Sequence, residues 1–240
     1  MQNTEEIRNH LLMGEIKISG RLVDASNATL FGSCTYQESA ISIIYKPIAG
    51  ERPLWDFAEG NLASREYASY LISELLGWNL IPVTILRDGP FGEGMVQQWI
   101  DIDESIDLAL FYRTDDPRLR RLALFDAVIN NTDRKIGHLL PTQDGRLLGC
   151  DHGVTFHEED KLRTVLWQWA GLPLDKREKA DLRKLLRTLE NEEIEIAQLI
   201  TEIEFQALLA RIAKLLSTSE FPSPSEDWPA VPWPGGSCTA

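Results

Sequence analysis

Four side chains in this 240-residue sequence have the types and order that phosphoryl transfer from ATP requires. Lys46 ends a β-branched run and could neutralise phosphate oxygens, while Glu66 follows in a segment of helical spacing, where it could reach across and fix that lysine. Asp133 lies in Asn131-Thr132-Asp133-Arg134 and could place a carboxylate beside an attacking hydroxyl. Asp151 opens Asp151-His152-Gly153 and could hold a divalent ion. Each feature has a plainer reading: a solvated strand-end lysine, a surface glutamate, a helix C-terminus running into a turn, and a common Asp-X-Gly turn. Their joint occurrence in one order is what carries weight.

The elements that must position these residues follow from periodicity. Residues Gly14 to Lys46 read as strands around the polar turn Asp24-Ala25-Ser26-Asn27-Ala28, with Ala40 to Tyr45 the most β-branched run. Glu51 to Asn61 reads as a loop. Ala63, Tyr67, Tyr70, Leu71 and Leu75 then recur at helical spacing until Gly77 supplies a stop. Leu80 to Leu86 and Gly94 to Ile100 read as two more strands about Arg87-Asp88-Gly89-Pro90. Pro117 can open a helix whose Leu119, Leu122, Leu124, Phe125, Val128 and Ile129 cover most of its circumference, so that helix should be buried on several sides. Leu139-Leu140 and Arg146-Leu147-Leu148 flank a hairpin turn carrying Asp144-Gly145. From Leu174 to Ser217 the pattern is helical, with Thr201 and Glu204 spaced as a capping box. The reading is an α+β, two-lobed, protein-kinase-like fold: an N-lobe over 1–100 with an antiparallel sheet and one helix, a mostly helical C-lobe over 101–218, and a flexible Pro-rich tail over 219–240.

Tyr45-Lys46-Pro47, Arg65-Glu66, Asn131-Thr132-Asp133-Arg134 and Asp151-His152-Gly153 together resemble the motifs of type II phosphatidylinositol 4-kinases, within the phosphatidylinositol 3-/4-kinase-like group, and more distantly those of HipA-type kinases. The likeness runs from about Gly14 to Phe156. It implies ATP as cofactor, with Lys46 on its α- and β-phosphates, Glu66 holding Lys46, Asp133 with Arg134 as the catalytic pair, and Asp151 as the principal metal ligand. Ser26 and Asn27 would approach the phosphates, and Gln97, Gln98 and Trp99 would form the adenine hinge. The position of the family's metal-binding asparagine is His138 here, a ligand that suits Mn, Zn or Fe better than Mg, so either the metal preference is altered or the second metal is lost. The turn at 24–28 also lacks the usual glycines.

Composition bounds the partners. A formal net charge of −13 argues against nucleic acid and against anionic membrane surfaces, both of which are met by clustered Lys and Arg. No apolar run reaches a membrane span, and Met1 to His10 lacks the pattern of a signal peptide, so the expected location is the cytoplasm. Cys34, Cys150 and Cys238 are scattered and odd in number, which fits reduced thiols better than a disulfide framework. The expected activity is an ATP- and Mg- or Mn-dependent kinase acting on a hydroxyl of a protein or small molecule. A nucleotide-binding pseudokinase and an AMP transferase are the alternatives.

Overall fold

The computed structural model describes residues 4–22, 27–57, 59–191 and 194–232. Five antiparallel strands, β1 (Glu15–Arg21), β2 (Leu30–Tyr36), β3 (Ser39–Pro47), β4 (Thr84–Gly89) and β5 (Gly92–Gln98), form one sheet in the order β1-β2-β3-β5-β4. Lys46 pairs with Met95 and Ile44 with Gln97. Side chains directly opposite in a ladder share a face, so Ile44, Lys46, Met95 and Gln97 project together from one side of the sheet.

Helix α1 (Thr4–Met13) precedes the sheet and buries Ile7 and Leu11; the short, mixed-charge stretch gave no strong periodic signal for it. Helix α2 (Leu62–Leu76) carries Glu66. The Asn61 side chain accepts from Ser64 N, and both carboxylate oxygens of Glu51 accept the next orphan donors, Leu62 N and Ala63 N, at 2.8 and 2.9 Å. Gly77 closes the helix at φ 66°, the left-handed conformation that glycine adopts without steric cost. The anticipated strand at Leu80 begins only at Thr84. Leu80 instead accepts from Gly149 N through its carbonyl, tying this segment to the far hairpin.

Beyond β5 the chain is mainly helical: α3 (Leu108–Phe111), α4 (Pro117–Ile129), α5 (Lys176–Asn191), α6 (Ile196–Leu199) and α7 (Glu202–Thr218), with the hairpin β6 (Leu139–Pro141) and β7 (Leu147–Gly149). The whole is the α+β, two-lobed, kinase-like architecture that the sequence implies. Helix α4 starts on the Asp116 cap with Pro117 in its first turn and buries Leu119, Leu122, Leu124, Phe125, Val128 and Ile129 as expected. Each such side chain contributes about 1.5–3 kcal/mol by leaving water. The helical reading of 174–217 is broken into three, and the Thr201–Glu204 capping box stands at the start of the last. No helix among the described residues is long and apolar enough to cross a membrane.

The expectation of a flexible tail from 219 is corrected for its described part. Phe221 is buried with its ring 4.5 Å from the Arg120 guanidinium, and it exchanges backbone hydrogen bonds with Gly171 and Leu172. Further on, the Ala230 carbonyl accepts from Thr164 N and from Trp167 Nε1. The Phe221 side chain and the Ala230 carbonyl dock this Pro-rich segment, which composition alone cannot distinguish from a free one. Residues 233–240, Cys238 included, lie outside the described residues.

Candidate active site

Lys46 sits between two carboxylates. Its Nζ donates to Glu66 Oε1 on α2 and, at 2.8 Å, to Asp151 Oδ1. Glu66 is buried, Lys46 nearly so, and Asp151 is the exposed member of the three, at 39%. Burial disfavours the ammonium ion, but Asp151 and Glu66 outweigh it and hold the Lys46 pKa well above its ordinary value. The Lys46 charge in turn holds the Asp151 carboxyl well below the usual carboxylate range. The three residues come from β3, α2 and the segment after β7, so this contact joins the sheet to the hairpin.

Asp133 and His138 complete the group. One ligand atom each from Asp133, His138 and Asp151 lies within 4.8 Å of the others, and His138 Nε2 is 3.5 Å from Asp151 Oδ2. Two carboxylates and an imidazole converging at this spacing suit a divalent ion. His138 is buried at the end of a single 3-10 turn (Ile136–His138), from which its Nδ1 faces Lys135 N. Asp151 has a left-handed backbone, φ 60°, a conformation that costs a non-glycine residue energy and turns its carboxylate toward Lys46 and His138. Burial raises the Asp133 pKa, opposed by Lys135, whose Nζ lies 2.8 Å from Asp133 Oδ2. Lys135 escaped the sequence reading. Its position two residues after Asp133 was the available signal.

Arg134 is not where the sequence suggested. It is fully buried, and its guanidinium closes on Asp126 of α4 at 2.8 Å, with Asp126 equally buried. It also donates to the Cys150 carbonyl at 3.2 Å, and its Nη2 lies 2.6 Å from His152 Nε2. Asn131 Nδ2 donates to the same Asp126 carboxylate, and the Asn131 Oδ1 accepts from Asp133 N. Arg134 is therefore a positioning residue that locks the Asn131–Arg134 loop to α4 and to the segment carrying Asp151. Burial and then the Arg134 charge push the His152 pKa well down, so this imidazole is neutral and part of the lock.

The remaining expected site residues divide. Gln97 lies on the Lys46 face of the sheet, but its buried side chain is committed to Thr84 Oγ1 at 2.8 Å. The backbone N–H groups of Gln98 and Trp99 are spent on the Val83 and Ser42 carbonyls, and the Trp99 indole stands edge-on to Phe31. Asn27 Oδ1 accepts from Arg52 N, which fastens the β1–β2 connection to the loop after β3. Ser26 lies outside the described residues.

No family model matches the chain. Among solved structures it is similar to hydra Fam20 with sugar, with a TM-score of 0.57 at 12% identity over 90% of this chain and 88% of that one. It is also similar to the Golgi casein kinase with Mn/ADP bound, with a TM-score of 0.55 at 13% identity over 90% and 75%. At these identities the likeness concerns the fold, which is kinase-like. A curated relative, protein Rv2133c of Mycobacterium tuberculosis, is 40% identical over 257 aligned positions covering 92% of each chain. On that identity and coverage, this chain belongs to the family of Mycobacterium tuberculosis protein Rv2133c.

Proposed function

We propose that the protein is an ATP-dependent kinase that transfers the γ-phosphate to an acceptor hydroxyl. The observation that carries this reading is the single constellation in which Lys46 bridges Glu66 and Asp151 while Asp151 converges with Asp133 and His138. Lys46 binds and orients the α- and β-phosphates, and Glu66 keeps it extended from β3. Asp133, near the mouth of the loop, accepts the proton of the attacking hydroxyl, which its burial-raised pKa favours. Lys135 lies against the same carboxylate, where it can stabilise charge on the transferred group. His138 and Asp151 would hold the divalent ion, which when bound neutralises charge on the phosphate oxygens, and Asp133 stands beside them as the base. The imidazole in that set favours Mn over Mg. The motif likeness to phosphatidylinositol kinases concerns the nucleotide site and does not carry the acceptor with it, because function resides in the site and not in the fold.

The test is mass spectrometry of nucleotide products from the purified protein with Mg or Mn, beside Asp133→Asn and Asp151→Asn. ADP formed by wild type and lost in both variants supports the kinase. Transfer of AMP to protein would replace it with a nucleotidyl transferase. Metal-dependent binding without turnover would make the protein a pseudokinase, and no nucleotide binding with either metal would sink the proposal. His138→Asn should shift the preference toward Mg, and an unchanged metal dependence would remove His138 from the ligand set.

A further inference from the structure

Arg163 is the partly buried arginine whose hydrogen-bonding capacity the fold leaves unspent. Arg65, Arg87, Arg118, Arg120, Arg134 and Arg211 all donate to carboxylate or carbonyl oxygens. The Arg163 side chain makes no hydrogen bond and no ion pair among the described residues, and its Nε–H is buried without an acceptor. A buried charged donor left without an acceptor is costly to the fold. Its contact is with the Trp228 ring, 5.5 Å from the guanidinium carbon to the ring centroid, a stacking partner that orients a planar cation without neutralising it. Lys161 lies over the same ring, 4.3 Å from its centroid, but it is buried and already partnered by Glu159 at 3.1 Å and by His157.

The backbone sets Arg163 beside the catalytic loop. Arg163 N donates to the Asn131 carbonyl at 2.9 Å, its own carbonyl accepts from Arg134 N at 3.1 Å, and Arg134 pairs in parallel with Thr164. Arg134 and Thr164 both turn inward to Asp126. Side chains alternate along extended backbone, so Asp133 and Arg163, neighbours in register and both partly exposed, are directed away from Asp126. A protein of formal charge −13 with Asp133 and Asp151 in its site repels an anion unless a local cation receives it.

On the kinase reading above, we infer that the acceptor carries a phosphate or carboxylate close to its reacting hydroxyl, and that Arg163, stacked on Trp228, binds that group. The guanidinium fork matches either oxyanion with paired N–H donors.

Two measurements on the full chain test this. In the first, inorganic phosphate is titrated while the Trp228 indole N–H is followed by NMR, assigned through Trp228→Phe. The signal should shift and saturate in the millimolar range; Arg163→Ala should weaken binding about tenfold and Arg163→Lys should retain part of it. No shift at tens of millimolar phosphate, or the same titration in Arg163→Ala, would overturn the subsite. Because the side chain holds no hydrogen bond in the fold, neither substitution unpairs another group. In the second, ADP formation is compared for glycerol 3-phosphate against glycerol, and for a serine peptide flanked by glutamates against one flanked by lysines. The anionic member of at least one pair should be preferred, which identifies a small molecule or a peptide as the source, with acceptor KM raised about tenfold in Arg163→Ala and ATP KM unchanged. Turnover that favours neutral or basic acceptors and ignores Arg163 would overturn the subsite and leave the kinase standing. Arg163-dependent phosphate binding without any ADP formation would do the reverse.

Discussion

Arg134 and Asp126 form an ion pair at 2.8 Å in which neither side chain is exposed to solvent. The carboxylate also receives Asn131 Nδ2 and Thr164 Oγ1, so one buried anion gathers α4, the Asn131–Arg134 loop and the segment after the Asp151 turn. Removing one partner strands the other charge in the interior. Asp126→Ala or Arg134→Ala should lower unfolding free energy by about 3–5 kcal/mol, read by chemical denaturation. The double substitution should cost less than the two single losses added together, and simple additivity would show that the pair is not coupled.

Lys46→Met should abolish ADP formation and weaken nucleotide binding. It should also lower the melting temperature, because Glu66 is buried and would lose its counter-charge. Adding Glu66→Gln to that variant should restore stability without restoring turnover. A Lys46→Met protein as stable as wild type would indicate that Glu66 is satisfied elsewhere.

Asp116 caps α4 by accepting from Arg118 N, and it receives the Arg118 guanidinium at 2.7 Å. The hydrogen bonds from Arg118 lower its pKa. A depressed carboxyl pKa stabilises the fold above the unfolded value of about 4, and that contribution is lost as pH falls through the lower folded value. Asp116→Ala should therefore cost about 1 kcal/mol at neutral pH. The gap from wild type should close as pH drops below 4, and a pH-independent gap would assign the loss to packing.

Phe221→Ala should destabilise by about 3–5 kcal/mol, a loss that a free tail would not show. Deletion from Ser219 onward should lower the melting temperature at least as much, and it should also move the Trp167 indole, whose N–H acceptor is the Ala230 carbonyl.

Much of this arrangement is legible in the chain. The periodicity of 63–75 and 119–129 reports two buried helices, and the Asp-Gly turn reports β6 and β7, because both signals depend on neighbours close in sequence. The convergence of Asp133, His138 and Asp151 follows once the motif order is recognised, although His138 alone reads equally well as an ordinary core histidine. The inward turn of Arg134 was not legible. Its direction depends on which way a buried acid eight residues earlier on α4 faces, and a polar Asn-Thr-Asp-Arg run looks the same whether its arginine faces solvent or core. Arg163 was invisible for a related reason: an unspent hydrogen-bond donor is defined only by everything around it.

Arg65 and Glu66 are consecutive residues of α2 with separate allegiances. Arg65 is buried against Glu204 at the start of α7, at 2.7 Å, while Glu66 reaches back to Lys46 of the sheet. One turn of helix is thus riveted to both halves of the molecule. Movement of the sheet relative to α7 must therefore carry α2 with it or break a desolvated ion pair.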